Sequence, residues 1–322
     1  MEMHPAYQAA LTGAVHYPIP EPGILRVRGD DRSAFFQRQT TNDVNRLSAG
    51  HTLLTVLTSP MARILDVLRL IDDRDSLFVL TLPGQSAATT RYLKSRIFFM
   101  DKVSLDDLSA DYAQVDLEGS QASVFLANLG FSTIPLLDEI ARVEFGAAEI
   151  WAIGQRGLAG MGYRLILPVS SVAALENLLK EQGVLELPPE VHHVLRLEAG
   201  LPASQAELTD AYTPLETSLD RAVAENKGCY TGQEVIARQI TYDKVTQHLA
   251  GLRLSTPAQP GERIWFEGRQ VGEITSVASS PRFGEIALAI LKRPSHEPGT
   301  SVQIGNSRQL TSTAIVSPLP FQ

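Results

Sequence analysis

Beyond Lys244 the sequence divides into six short runs of alternating or β-branched character, at 249–254, 263–266, 270–277, 286–291, 301–304 and 311–316. The breaks between them hold Gly268, Pro281, Pro298, Gly299 and Gly305. Runs of this length separated by turn residues are strands, and six of them in succession predict a small β-barrel at the C-terminus. Glu267-Gly268-Arg269, lying between two runs, reads as a tight hairpin connection. The change of pattern sets the expected boundary, with one region over 1–244 and the barrel over 245–322.

Upstream the pattern is mixed. A strand is expected at 24–28, followed by a turn at Gly29-Asp30-Asp31, with Asp30 capping a helix that carries Phe35 and Phe36. Apolar runs at 53–57, 64–71 and 77–82 read as sheet strands. Over 86–99 the spacing turns helical. Strand candidates at 112–117, 147–153 and 163–167 then alternate with helices, one at 172–182 and one beginning after Pro188-Pro189. Ser170 or Ser171 is placed to cap the 172–182 helix, and Gly183 to stop it. The class is therefore α+β, and 322 residues with 44% hydrophobic content suffice for two domains with real cores.

A formal charge of −8 disfavours a nucleic-acid coat or a polybasic membrane binder. No apolar run approaches the roughly 20 residues that cross a bilayer, and no basic segment leads into an apolar stretch at the N-terminus, so the expected location is the cytoplasm. Cys229, the lone cysteine, excludes an internal disulfide and fits a reducing compartment. A metal bound through it needs other ligand types, a small thiol or a second chain. His192 and His193 are adjacent, about 100° apart on a helix, and cannot chelate one metal together. No metal site is expected.

Cys229 lies in Lys227-Gly228-Cys229-Tyr230-Thr231-Gly232-Gln233-Glu234, where two glycines give loop geometry and Lys227 is close enough in sequence to favour a thiolate. A lone cysteine is also commonly a small buried hydrophobe. The residues alone leave both readings open.

This block, with Val235-Ile236-Ala237-Arg238 trailing it, resembles the motif of YgfZ-type folate-binding proteins, relatives of the glycine-cleavage aminomethyltransferase, or T-protein. Leu195-Arg196-Leu197-Glu198-Ala199-Gly200-Leu201-Pro202, followed by Thr213-Pro214-Leu215-Glu216 and Leu219, is similar to both groups. So are the stretch FFQRQTTNDV at 35–44, the segment 60–70, Val271-Gly272-Glu273-Ile274-Thr275-Ser276 and Leu319-Pro320-Phe321. Two departures stand out. Met61-Ala62 replaces the more usual Lys-Gly, and Asp66 is what remains of an aspartate pair that includes the T-proteins' catalytic acid.

The resemblance implies a T-protein-like fold, with two discontinuous α+β modules around a folate pocket and a C-terminal β-barrel. It implies tetrahydrofolate as cofactor, with Glu198 on the pterin and Lys227, Asp66 and Asn42 as further cofactor-binding residues. The alternative for Glu198 is a surface ion pair with Arg196. Cys229 becomes the reactive residue, on a loop that includes Lys227, Gly228, Tyr230, Gly232, Gln233, Glu234 and Arg238. The implied role is accessory to iron–sulfur cluster assembly or repair, with iron–sulfur client or assembly proteins as partners. An indirect effect on tRNA modification follows, without direct nucleic-acid or membrane contact. Folate-dependent aminomethyl transfer or demethylation and a plain folate store are the alternatives.

Overall fold

The C-terminal runs form six antiparallel strands, Gln247–Leu254, Arg263–Phe266, Arg269–Ser280, Gly284–Lys292, Ser301–Asn306 and Gln309–Ser317, closed into a barrel. The computed structural model describes residues 4–306 and 309–322. Closure comes from the first barrel strand, which pairs with both Gly284–Lys292 and Gln309–Ser317. Alternation puts Leu252, Ile264, Ile274, Ala289 and Val316 in the barrel core. The predicted hairpin is present: Phe266 pairs with Arg269, and Glu267 and Gly268 both take positive φ, at 50° and 75°. That is the two-residue turn whose twist matches antiparallel strands.

The barrel belongs to a unit that also contains Pro189–Asp220 and extends over Glu234–Gln322. The helix Pro189–Glu198 begins at the expected proline. Leu197 and Tyr212 pack with Leu249, Ile286, Leu288, Ile290 and Phe321 on the barrel's outer side.

The second unit comprises Pro5–Pro188 and Arg221–Gln233 and contains two sheets. The first has the strand order Thr52–Thr58, Ile64–Asp73, Ser76–Thr81, Gly23–Arg28, Ser104–Asp107, all antiparallel. The second runs Leu185–Glu186, Val15–Pro18, Tyr112–Glu118, Gly160–Pro168, Ala148–Gly157, Ile140–Phe145, antiparallel except for the Leu185–Glu186 pairing. Val15–Pro18 belongs to the second sheet although the whole first sheet follows it, so one module interrupts the other in sequence. The expected α+β architecture, with discontinuous modules and a C-terminal barrel, is thus present.

Burial explains why the strand Ser76–Thr81 reads as an unbroken apolar run. Leu77 and Val79 pack with Phe35, Phe36 and Leu93 of the helices Arg32–Gln39 and Ser86–Lys94. On the opposite face Phe78 and Leu80 meet Trp151, Ile153 and Ile166 of the second sheet, so the strand has no solvent face to alternate towards.

Two local expectations are corrected. Asp31, not Asp30, occupies the N-cap of Arg32–Gln39, and it makes no side-chain cap bond. Its φ of −92° and ψ of 7° depart from the extended cap conformation, and its carboxylate instead accepts the Lys102 N–H at 2.9 Å. The helix expected over 86–99 ends at Lys94, and a turn closed by the Asp101 carboxylate on the Phe98 N–H takes over. Ser171 caps Val172–Glu181 by position only, and Gly183 ends it at φ 69° as expected. Among the described residues no helix is long and apolar enough to cross a membrane.

Candidate functional site

The segment that carries the cysteine motif is laced to the Thr-Thr-Asn-Asp stretch some 180 residues earlier. The Thr41 hydroxyl donates to the Ala222 carbonyl at 2.6 Å, and the Thr41 carbonyl accepts the Ala224 N–H at 3.0 Å. Asn42 Nδ2 donates to the carbonyls of Leu54 and Arg221 at 2.7 and 3.0 Å, while its Oδ1 accepts the Asp43 N–H at 2.9 Å. Arg221 also pairs with Asp138, which holds half-buried Arg69 at 2.7 Å. A short polar run is sufficient because every contact is to a main-chain group that would otherwise be buried without a partner. Asn42 is fully engaged in this frame.

Lys227 completes the lacing. Its Nζ donates to the carbonyls of Thr40 and Asn42 at 2.7 and 2.6 Å and lies 5.0 Å from the centre of the Tyr230 ring. Burial pushes its pKa down from 10.5 to about 8, with the Asp43 charge opposing. The two carbonyls and the ring face favour the ammonium, so the lysine is a charged staple. Tyr230 is itself buried, which raises its hydroxyl to about 12. The ammonium expected beside the thiolate is therefore committed to the backbone.

Between half-buried Lys227 and buried Tyr230, Cys229 is exposed. The motif glycines divide their roles. Gly228 lies outside the left-handed region, with open space where a Cβ would stand, whereas Gly232 has φ 85°. A Cβ on Gly232 would come within 2.7 Å of the Ser59 carbonyl and 3.0 Å of Ala62 Cα. Gly232 thus rests on the turn at 58–62, where the Thr58 hydroxyl donates to the Thr231 carbonyl at 2.7 Å. Ala62, standing where the resembling sequences have glycine, holds φ 57°. Gln233 opens the helix Gln233–Thr241, its N–H donating to the Tyr230 carbonyl at 3.2 Å. Glu234 and Arg238 form an exposed i, i+4 pair at 2.6 Å.

Asp66, expected at the cofactor, has no exposed surface. It accepts the Thr89 hydroxyl at 2.5 Å and the N–H groups of Val67 and Leu82 at 2.8 and 3.0 Å. Burial raises its pKa to about 7 against those three donors. Its part here is to tie the strand Ile64–Asp73 to the end of Ser76–Thr81 and to the helix Ser86–Lys94.

In the other unit Glu198 ends the helix Pro189–Glu198, 4% exposed. Its Oε1 accepts the Ser280 hydroxyl at 2.5 Å, and Arg282 Nη1 lies 3.6 Å from Oε2. The Glu198 carbonyl accepts the Phe321 N–H at 2.9 Å. Gly200 at φ 66° has Leu319 so close that a Cβ would meet it at 2.8 Å, so the Glu-Ala-Gly and Leu-Pro-Phe blocks form one corner. Arg196 does not pair with Glu198. Its Nη1 donates to Glu207 Oε2 at 3.1 Å, both side chains are buried, and Ser276 and Thr275 complete the network with hydroxyls on Glu207 Oε1 at 2.6 and 2.7 Å.

Lys227 and Asn42 therefore meet, whereas Asp66 lies apart from them against Thr89 and Glu198 lies in the other unit. Asp138, Arg221 and Glu207 were invisible to motif reading, and Thr41 was seen only as part of the 35–44 stretch, because each works through main-chain atoms or a partner distant in sequence. The one available signal was a buried-charge need: Arg196 on an apolar helix face demands a carboxylate.

These elements define a T-protein-type fold with a thiol-bearing loop. The GCVT N-terminal domain matches residues 19–227 and the glycine cleavage T-protein C-terminal barrel domain matches residues 247–322, and the chain belongs to this family. A chloroplastic protein of Arabidopsis thaliana, named as a transferase, is 29% identical over 326 residues, covering 98% of this chain and 73% of its own. An aminomethyltransferase of Geobacillus is 26% identical over 326 residues, covering 97% of this chain and 88% of its own. The crystal structure of the glycine cleavage system aminomethyltransferase T from Bartonella henselae superposes with a TM-score of 0.85 at 23% identity, covering 98% and 88% of the two chains, which shows the shared fold.

Proposed function

We propose that this protein is a tetrahydrofolate-binding accessory factor of the YgfZ type, acting in iron–sulfur cluster assembly or repair, with Cys229 as its reacting thiol. The observation that carries the reading is that Cys229 is exposed while its neighbours Lys227 and Tyr230 are turned inward and bound. A cysteine kept only for packing would be inside. An exposed thiol on a fixed loop can act as a nucleophile, a redox group or a transient cluster ligand. The partners are iron–sulfur client or assembly proteins in the cytoplasm, and effects on tRNA modification follow through cluster-containing enzymes.

The residues fit a folate at one point. Glu198 is a carboxylate, the group whose two oxygens accept the paired donors of a pterin's amino-pyrimidine edge, and Ser280 and Arg282 hold it in place. When bound, the folate supplies an oxidisable, one-carbon-carrying pterin. Asn42, Asp66 and Lys227 serve by holding the frame. The engagement of Asp66 also disfavours the aminomethyltransferase alternative, which needs a carboxylate aimed at the folate amine, since three donors from its own unit already hold this one.

The test is complementation of cells lacking the protein with wild type, Cys229→Ala and Glu198→Ala, reading cluster-enzyme activity, alongside folate binding to the purified chains. Cys229→Ala is expected to retain folate and lose the cellular role, and Glu198→Ala to lose both. Equal activity in all three removes the reading. Turnover of an aminomethyl donor by Cys229→Ala favours the transferase.

A further inference from the structure

Three consecutive large apolar residues stand in solvent just beyond the helix Ser86–Lys94. Phe98, Phe99 and Met100 are 66%, 98% and 74% exposed. Together they present roughly 400–500 Å² of side chain, the scale of the largest apolar patch on a typical monomer. The turn that carries them is built. The Phe98 N–H donates to Asp101 Oδ2 at 3.0 Å, the Asp101 N–H returns to the Phe98 carbonyl at 2.9 Å, and Arg38 holds Asp101 Oδ1 at 2.8 Å. On either side Ile97 and Val103 pack into the core of the first sheet. The flanks are anchored inward, and the tip is held outward.

The surface beside the tip is cationic in a chain whose net charge is −8. Arg91, Lys94 and Arg96 are exposed, and among the described residues none has a carboxylate within ion-pair distance. Arg96 stacks on Tyr92 at 4.9 Å. Around the turn itself, Asp101 is paired with Arg38, Asp30 with Lys102, and the Asp31 carboxylate accepts the Lys102 N–H. Exposed apolar side chains on a built turn, with cations lacking a carboxylate partner in the preceding residues, match a negatively charged lipid surface: the tip enters the headgroup boundary and the cations meet phosphates.

We propose that the Phe98–Phe99–Met100 turn, with Arg91, Lys94 and Arg96, is a docking tip for anionic membrane surfaces. It is separate from the thiol loop and does not depend on the function assigned to it. The full chain is sedimented with vesicles of phosphatidylcholine alone and of phosphatidylcholine mixed with phosphatidylglycerol, at low and high salt. Binding is expected to the mixed vesicles at low salt, to weaken with salt, and to be negligible on phosphatidylcholine alone. The Phe98→Ser, Phe99→Ser, Met100→Ser triple variant should lose about tenfold or more in partitioning, and so should Arg91→Glu, Lys94→Glu, Arg96→Glu. Because all six side chains are exposed, both variants should keep the wild-type circular dichroism. In Phe99→Trp, indole emission should shift to the blue on adding mixed vesicles. A wild-type chain that stays in the supernatant, or a serine variant that partitions as well as wild type, overturns the proposal.

Discussion

The Lys227 ammonium lies 2.6 Å from the main-chain carbonyl oxygen of Asn42. That contact joins an N-terminal polar stretch to the cysteine motif, and it fixes the loop from which Cys229 projects. A side chain that looks from sequence like an electrostatic neighbour of the thiol is instead the peg that holds the loop.

Lys227→Met should destabilise the fold by about 1–3 kcal/mol, since it leaves two carbonyls without their charged donor. Lys227 also sets a pH dependence. Its folded pKa, about 8, lies below the ordinary 10.5, so the folded state binds fewer protons than the unfolded chain between those values. Its contribution to stability therefore rises with pH across that window and is lost as pH falls through about 8. Urea unfolding across the window should show the rise in wild type and a flatter profile in Lys227→Met.

Asp66 behaves in the opposite sense. Its pKa is raised from 3.8 to about 7 by burial, so its contribution is fully present below 3.8 and is lost as pH rises through about 7. Asp66→Asn can still accept the two backbone N–H groups and should change stability at neutral pH by less than about 1 kcal/mol while removing that pH dependence. Asp66→Ala strands the donors and should cost about 3 kcal/mol. Denaturant titrations of the three proteins on both sides of pH 7 check the ordering.

The two motif glycines should respond differently. Gly232→Ala combines a φ of 85° with a Cβ placed 2.7 Å from a carbonyl oxygen and should lower stability by about 2–3 kcal/mol. Gly228→Ala meets open space and should cost less than about 1 kcal/mol. Thermal unfolding distinguishes them; equal losses would contradict the roles assigned here.

Ala62→Gly should be neutral or stabilising by up to about 1 kcal/mol, because a glycine relieves the φ of 57° that an alanine side chain opposes. Calorimetry on the single variant suffices. A clear loss of stability would mean that the Ala62 methyl contributes packing that outweighs the strain.

In the polar network around Glu207, Glu207→Ala leaves the buried Arg196 guanidinium without its carboxylate and should cost about 3–5 kcal/mol. The double variant Arg196→Met, Glu207→Leu should recover much of that loss, which a double-mutant cycle measures directly.

The barrel was legible because local rules sufficed. Its strands alternate, and Glu267-Gly268 supplies the one turn conformation that suits a two-residue hairpin. The strand Ser76–Thr81 was legible as apolar, but not the reason, which is that helices cover one face and a second sheet the other. The helix end at Lys94 was missed because Phe98 and Phe99 continue a helical-looking spacing, while the Asp101 carboxylate that closes the competing turn has no signature in a periodicity.

By itself, the sequence determined the α+β class, the barrel, the placing of Cys229 in a loop and the residue types that carry chemistry, since each follows from backbone preference and spacing over a few residues. Only the tertiary structure decided which of those residues face outward. Lys227, Asn42 and Asp66 carry groups that could meet a ligand, but their partners are carbonyls, amides and a hydroxyl contributed by segments remote in sequence. Long-range packing, which no local pattern encodes, turned them inward and left the Cys229 thiol exposed.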